Sequence, residues 1–265
     1  MHDPFDQQRD APHPVIVLHG WFGHAQAWQP VKHLLDDKEF DYTFIDYRGY
    51  GARRSVAGVY TIDEIADDVL ALADQLGFTR FSLIGHSMGG IASERVAMRA
   101  PQRIRTLVLI APVPCCGMRF DDTTRAWLAA AAQHIDTRRA IIDHSTGGRL
   151  PARWVSAKAA DSLAHSTPQA FAAYLQAWSQ SDFSHELIDS ASAHDYPVKL
   201  LVGRHDPRYH AALMRDTCLR WYPHAELDIL DNAGHYPMDE TPLILVARIE
   251  EFLRRHTSSR RHSTV

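Results

Sequence analysis

The amino-acid sequence predicts an α/β protein, in which a mostly parallel β-sheet is flanked by helices and interrupted by a helical insertion. Short apolar runs alternate with helical patterns over residues 15–110 and again over residues 198–254. This alternation is typical of a parallel sheet covered on both faces. Residues 112–195 break it, since they are rich in alanine and contain no strong strand pattern. The length of 265 residues suffices for one such domain with an insertion.

The predicted strands are short apolar or alternating runs. They cover residues 15–18, 42–46, 81–84, 105–110, 198–202 and 226–230. The predicted helices cover residues 62–76, 87–100, 209–221 and 243–254, with further helical patterns at 123–132 and 168–179. In the first helix, Ile65, Val69 and Leu72 recur at helical spacing, and residues 61–64 resemble a capping box.

The most informative motif is Gly-x-Ser-x-Gly at residues 85–89, with Ser87 at its centre. It directly follows the apolar run 80–84 and precedes the helical pattern 91–100. Flanking glycines let a strand and a helix approach closely, and a serine at such a sharp turn presents its hydroxyl to solvent. The N-terminus of the following helix directs backbone N–H groups at the same point. This context predicts a nucleophile rather than an incidental turn serine.

Asp206 and His235 are the predicted acid and base that a serine nucleophile needs at neutral pH. Asp206 follows the apolar run 198–203, and His235 follows the alternating strand 225–230. Loops at the carboxyl ends of parallel strands converge on one edge of the sheet. We therefore expect these two residues to meet Ser87 there.

These residues make the chain similar to the α/β-hydrolase superfamily, in particular to its small esterase-like members with a helical cap. The resemblance covers nearly the whole chain and rests on motifs at residues 18–23, 46–51, 85–89, 203–206 and 234–235. The order serine, acid, histidine is also the order of that superfamily. The resemblance implies an α/β-hydrolase fold, a mostly parallel sheet flanked by helices, with an inserted α-helical cap.

The resemblance also divides the chain. Residues 1–111 and 196–256 are expected to form the two parts of the hydrolase core, residues 112–195 the helical cap, and residues 257–265 a flexible tail. Many members of the superfamily carry an antiparallel strand pair before the first parallel strand. Because only 14 residues precede residue 15, this chain is expected to lack that pair or to have a shortened version.

The expected chemistry is an attack of the Ser87 hydroxyl on a carbonyl, with a proton passing through His235 while Asp206 orients the imidazole. The backbone N–H of Met88 is one expected oxyanion donor, and by resemblance that of Trp21 is the other. The expected substrate pocket consists of Trp21, Phe22, His86, Met88, Trp127 and Trp154. Most of the cap aromatics are expected to pack within the cap, since aromatics at helical spacing usually face a core; they are Trp127, Trp154, Phe171, Tyr174 and Trp178.

Neighbouring residues compete for these roles. His205 adjoins Asp206 and is a second candidate base, and Asp231 is a rival acid close to the histidine. The spacing after the strand favours Asp206. The resemblance assigns His19 a structural role, and Arg48 either touches the rim of the pocket or is structural.

The predicted function is the hydrolysis of a carboxylic ester or lactone of a small apolar or aromatic molecule through an acyl-enzyme. Haloalkane dehalogenases and typical epoxide hydrolases are excluded, because they carry aspartate where this chain has Ser87. The same triad also suits cleavage of a C–C bond in a β-diketone, amide hydrolysis or perhydrolysis. A ligand sensor with this fold is a further alternative, which the intact triad disfavours.

Composition excludes other classes. The net charge of −4 at pH 7 gives no bias toward nucleic acid or an anionic membrane. No nucleotide fingerprint or zinc-type spacing is present, so neither a cofactor nor a metal is expected, and the expected partner is a small-molecule substrate. Three cysteines, no signal-peptide pattern at residues 1–10 and no long apolar run predict a cytoplasmic protein with no membrane segment.

Overall fold

The computed structural model describes residues 12–189 and 195–257. The six strands of this part of the chain are β1 His13–Leu18, β2 Phe40–Ile45, β3 Phe81–His86, β4 Ile104–Ile110, β5 Val198–Gly203 and β6 Glu226–Leu230. Its α-helices are α1 Gln29–Lys32, α2 Ile62–Gln75, α3 Met88–Arg99, α4 Asp122–Ala130, α5 Ile135–Ser145, α6 Ala152–Ala164, α7 Pro168–Gln180, α8 Ser184–Asp189, α9 Ala211–Asp216, α10 Cys218–Trp221, α11 Pro237–Glu240 and α12 Pro242–Thr257.

All six strands pair in parallel in the order β2-β1-β3-β4-β5-β6. The strand order reverses direction between β1 and β3, where Leu18 pairs with Gly85. Ligands of open parallel sheets bind outside the carboxyl ends of the strands at such a reversal. The loops after β1 and β3 therefore flank the natural crevice of this sheet.

The central strands of the sheet are apolar and buried on both faces. All residues of β3 and β5 are buried, as is every residue of β4 except Arg105. Helix α3 contacts β1, β3 and β4, and α12 contacts β4. Burial on both faces explains why these strands appear in the sequence as continuous apolar runs.

Each predicted strand and helix has a counterpart in the structure, with bounds shifted by a few residues. One prediction was wrong in kind, because residues 209–221 form the two short helices α9 and α10 instead of one. The break lies at Thr217, whose φ of −127° and ψ of −93° are not helical. The Thr217 hydroxyl donates to the Leu213 carbonyl at 2.6 Å, which gives that carbonyl a side-chain partner at the break.

The segment between β4 and β5 contains the five helices α4–α8 and no strand among its described residues. Sequence patterns located α4 and α7 but did not delimit α5, α6 and α8. Helix α7 lies over the loops at the carboxyl edge of the sheet, where Tyr174 contacts Tyr50 and Tyr60, with ring centroids 5.6 Å away in each case. The division into core, cap and tail stays a prediction, and residues 258–265 of the expected tail lie outside the described residues.

In the described part of the chain, no helix has both the length and the apolar character that crossing a bilayer requires. The sequence also predicts that an antiparallel strand pair before residue 15 is absent or shortened. Most of the residues concerned, 1–11, lie outside the described part of the chain. β1 begins at His13 and all six described strands are parallel.

Candidate active site

Ser87 lies at the sharp turn between β3 and α3. Its φ of 55° and ψ of −117° are strained for a residue with a side chain. The turn requires the preceding glycine, since a Cβ on Gly85 would lie 2.2 Å from the Gly89 carbonyl oxygen. The Ser87 N–H donates to the Ile110 carbonyl at 3.0 Å, which ties the turn to β4. The Ser87 hydroxyl is thus held at the carboxyl edge of the sheet.

His235 and Asp206 lie at the same edge, after β6 and β5. The Ser87 Oγ is 3.0 Å from Nε2 of His235, and Nδ1 of His235 is 2.6 Å from Oδ2 of Asp206. All three residues are buried, with 7%, 7% and 3% of their surface exposed. The structure therefore brings the three predicted residues into one continuous hydrogen-bonded chain.

The environment of Asp206 keeps its carboxylate charged. Its other oxygen, Oδ1, accepts hydrogen bonds from the backbone N–H groups of Arg208 and Tyr209, each at 2.9 Å. Burial raises the pKa of Asp206, but the charge and the hydrogen bond of His235 and the two amides outweigh burial, and the pKa is lowered overall. A buried anion facing Nδ1 favours the imidazole tautomer whose Nε2 accepts the Ser87 proton.

The loop after β1 lies against the nucleophile. A Cβ on Gly20 would lie 2.8 Å from Nδ1 of His86 and 3.1 Å from Cβ of Ser87, so only glycine permits this approach. The Trp21 indole N–H donates to the Phe171 carbonyl at 2.8 Å, and the two rings stack at 4.2 Å. Helix α7 thereby anchors the loop that carries Trp21 beside Ser87.

Two cavities open onto Ser87 and His235. The smaller lies between the loop after β1 and α6 and is lined by Trp28, His86, Lys158, Tyr236 and Met238, among others. The larger extends under the helical segment and is lined by Phe120, Trp127, Leu128, Ile141, Trp178 and Tyr209, among others. Their walls are mainly apolar and aromatic, as is usual for sites that bind small molecules.

Four of the six predicted pocket residues line these cavities. Trp21 and Phe22 line both, His86 lines the smaller and Trp127 the larger.

The side chains of Met88 and Trp154 line neither of these cavities, so their predicted place in the substrate pocket stays a prediction. Met88 is fully buried as the first residue of α3 and lines neither cavity, although its backbone N–H has no acceptor within the helix. Trp154 lies on α6, but its ring packs on Tyr236, with centroids 5.7 Å apart, and near the ammonium of Lys158. Its position on the helix directs it to these neighbours rather than to a cavity.

The competing residues have other surroundings. His205 is exposed and lines neither cavity. Nδ1 of His19 faces the Gly20 carbonyl at 2.9 Å, and burial lowers its pKa to about 4. Asp231 forms an exposed ion pair with Arg204. Arg48 pairs with acidic residues of α2 and lines neither cavity.

His86 is a supporting residue as well as a cavity wall. Its Nε2–H donates to the backbone carbonyl of His235 at 2.8 Å. Burial, reinforced by the charge of His235, holds its pKa well below the usual range, so its ring is neutral. His86 therefore fixes the backbone of the candidate base without competing for its proton.

Sequence reasoning missed Glu240, whose carboxylate holds the backbone on both sides of His235. It accepts from the N–H groups of Gly234 at 2.8 Å and Tyr236 at 3.1 Å, and its side chain is 1% exposed. Arg149, from the helical segment, pairs with it at 2.9 Å. A glutamate five residues after a histidine has no motif that reveals this function.

The helical segment holds the same loop at two more points. The His235 N–H donates to the Ser145 carbonyl at 3.1 Å, at the end of α5. Lys158 of α6 pairs with Asp239 at 2.7 Å, and both side chains are about 10% exposed. The position of the candidate base therefore depends on the helical segment as well as on the sheet.

Among the described residues, one group of side chains is of the kind that can bind a metal ion. It consists of His24, Asp161 and His165, whose donor atoms are within 4.8 Å of one another. Asp161 contacts His24 at 2.8 Å and His165 at 3.1 Å. The two imidazole rings stack at 4.0 Å with an angle of 14° between their planes. Lone pairs lie in the ring planes, so nearly parallel rings do not converge on one ion, and the arrangement is that of a histidine–carboxylate cluster.

A parallel sheet that carries a Ser–His–Asp hydrogen-bonded chain at its carboxyl edge, with the serine on a strand–turn–helix elbow, defines an α/β hydrolase. A family model described as the alpha/beta hydrolase fold matches residues 13–242, and the chain belongs to that family.

Similar proteins with named activities cover nearly the whole chain. A pimeloyl-[acyl-carrier protein] methyl ester esterase of Nitrosomonas europaea is 29% identical over 239 residues, which are 86% of this chain and 90% of that protein. A 3-oxoadipate enol-lactonase 2 of Acinetobacter baylyi is 24% identical over 257 residues, 92% of this chain and 90% of that protein. The crystal structure of the enol-lactonase from Burkholderia xenovorans has a TM-score of 0.79 and 24% identity, and covers 93% of this chain and 94% of that one. The structural likeness confirms the fold.

Proposed function

We propose that this chain is a serine hydrolase that cleaves a carboxylic ester or lactone of a small apolar or aromatic molecule through an acyl-enzyme. The observation that carries the proposal is the continuous hydrogen-bonded chain from Ser87 through His235 to Asp206, at the base of two largely apolar cavities. Cleavage of ester bonds is supported by the relatives, which are named as an esterase and enol-lactonases.

The reaction begins when Ser87 Oγ attacks the substrate carbonyl and its proton passes to Nε2 of His235. The imidazolium then gives this proton to the leaving alcohol as the C–O bond breaks, which leaves an ester on Ser87. Water, deprotonated by His235, hydrolyses that ester and restores the hydroxyl. Asp206 stabilises the imidazolium in both steps, and no cofactor takes part in the proposed route.

The carbonyl oxygen becomes negatively charged in each tetrahedral intermediate. The backbone N–H groups of Met88 and Trp21 are the proposed donors to it. Met88 begins α3, so its N–H is unused within the helix and lies at the positive end of the helix dipole. Each such donor typically lowers the barrier by about 3 kcal/mol.

A direct test is turnover of p-nitrophenyl butyrate by the wild type and by Ser87→Ala. We expect kcat to fall by at least about 10³-fold, because the covalent route is lost. Ser55→Ala, an exposed serine remote from the elbow in sequence, serves as the control and should keep wild-type activity.

A fluorophosphonate probe provides a second readout that does not depend on substrate choice. It should label the wild type on the peptide that contains Ser87 and leave Ser87→Ala unlabelled. Equal rates of ester cleavage in the wild type and in Ser87→Ala would contradict the proposal.

A further inference from the structure

We propose that the substrate carries a carboxylate, joined to the scissile ester by an apolar spacer, and that Arg208 binds this carboxylate in the larger cavity. The inference rests on the proposed function, since it assigns a substrate class to the same site. It follows from an arginine that lines this cavity and has no acidic partner among the described residues.

Arg208 is held close to the candidate triad. Its backbone N–H donates to Oδ1 of Asp206, so its Cα has a fixed position beside the acid. Its half-buried side chain lines the larger cavity together with Ser87 and His235. The guanidinium carbon lies 4.8 Å from the ring centroid of Phe120, and this stacking holds the cation against an aromatic wall.

The charge of Arg208 is not matched within residues 12–189 and 195–257. No carboxylate of these residues lies within 4.0 Å of its guanidinium. The acid that lines the same cavity, Asp206, already has one oxygen on His235 and the other on two backbone amides. The larger cavity therefore contains one permanent cation whose donors are available to a ligand.

Two nearby cations show the contrast. Lys158 lines the smaller cavity, but its ammonium is paired with Asp239 at 2.7 Å. Arg204, four residues before Arg208, is paired with Asp231 outside both cavities. Among Lys158, Arg204 and Arg208, only Arg208 lines the larger cavity and has no ion-pair partner within the described residues.

A carboxylate is the ligand that this arrangement favours. A planar guanidinium donates two parallel hydrogen bonds to a carboxylate, and these charge-assisted bonds strengthen beside apolar walls that exclude water. The remaining wall, which includes Trp127, Leu128 and Trp178, is apolar and suits a hydrocarbon or aromatic spacer between the ester and the carboxylate.

The test compares p-nitrophenyl hydrogen adipate with its neutral methyl ester, and repeats the pair with the glutarate and suberate homologues to match the spacer. We expect the wild type to prefer at least one anionic ester over its neutral partner. In Arg208→Gln, the ratio of kcat/KM for the anionic to the neutral ester should fall by about 10- to 100-fold, mainly through KM.

Arg204→Gln is the matched control, because it removes the same charge from the same loop outside the cavity. It should leave that ratio unchanged. Arg208→Lys keeps the charge without the planar fork and should give an intermediate ratio. A wild-type ratio near one for every spacer, or an equal fall for both esters in Arg208→Gln, would overturn the inference and leave the proposed function intact.

Binding to a protein that cannot turn over the ester separates the two proposals. Calorimetric titration of Ser87→Ala with p-nitrophenyl hydrogen adipate should give a Kd that weakens about tenfold or more when Arg208→Gln is added. This result would support the carboxylate site even if the wild type cleaved neither ester, which would refute the proposed function alone. An unchanged Kd would refute the site.

Discussion

Replacing Glu240 by alanine should both destabilise the protein and impair catalysis, because this carboxylate holds the loop that carries His235. It accepts hydrogen bonds from the backbone N–H groups of Gly234 and Tyr236, and it forms an ion pair with Arg149. The Glu240 side chain is 1% exposed, so water has little access to the two backbone N–H groups that the substitution would leave without a partner.

The size of the effect follows from these contacts. Each buried N–H left without a partner costs about 1–3 kcal/mol, and the ion pair with the partly exposed Arg149 adds at most about 1 kcal/mol. We expect Glu240→Ala to lower the free energy of unfolding by about 3 kcal/mol. For a chain of this size, that lowers the Tm by about 6–12 °C. A displacement of His235 by about 1 Å would lower kcat by about 100-fold.

The measurement is urea unfolding of the folded variants together with kcat for p-nitrophenyl butyrate. Arg149→Met isolates the ion pair and should cost no more than about 1 kcal/mol. Glu39→Ala, which removes an exposed glutamate paired with Arg254, should change neither stability nor kcat appreciably. Wild-type stability and wild-type kcat in Glu240→Ala would show that the carboxylate does not hold the loop.

Three further changes test other parts of the structure. Burial and Arg105 lower the pKa of His13 to about 4. In the unfolded chain this histidine takes up a proton near pH 6.5, whereas in the folded chain it stays neutral until about pH 4. The free energy of unfolding should therefore fall by about 3 kcal/mol between pH 6.5 and 4, and unfolding curves of His13→Gln should show a correspondingly flatter dependence on pH. Gly85→Ala would place a Cβ 2.2 Å from a backbone oxygen of α3 and should cost at least about 2 kcal/mol in urea unfolding. Trp127 lies in a cavity wall and is 37% exposed, so Trp127→Ala should raise KM for a naphthyl ester about tenfold with little loss of Tm. Phe171 is fully buried, so Phe171→Ala should lower the free energy of unfolding by about 3–5 kcal/mol. The reverse pattern would contradict the assignment of Trp127 to the cavity and of Phe171 to the core.

Sequence reasoning located the strands and the candidate triad because both depend on local patterns. An apolar run followed by Gly-x-Ser-x-Gly and a helical pattern predicts a strand, a turn and a helix from the 21 consecutive residues 80–100. Asp206 and His235 were identified because each follows a predicted strand, and parallel strands bring such loops to one edge. The break at Thr217 was missed, because helical periodicity alone does not show where backbone angles leave the helical range.

The sequence by itself thus determined the α/β class, the parallel sheet and three side chains that meet at its carboxyl edge. Their placement depends on hydrophobic period, glycine positions and chain order, all of which are visible in the order of residues.

The tertiary structure alone decided what surrounds those side chains. It placed Trp127 in the wall of the larger cavity and Trp154 against Tyr236. It paired Arg204 with Asp231, whereas Arg208 on the same loop has no acidic partner in the described part of the chain. The rotation of a helix and the choice of an ionic partner are set by packing between segments far apart in the chain, so neighbouring residues of the same type acquire different surroundings.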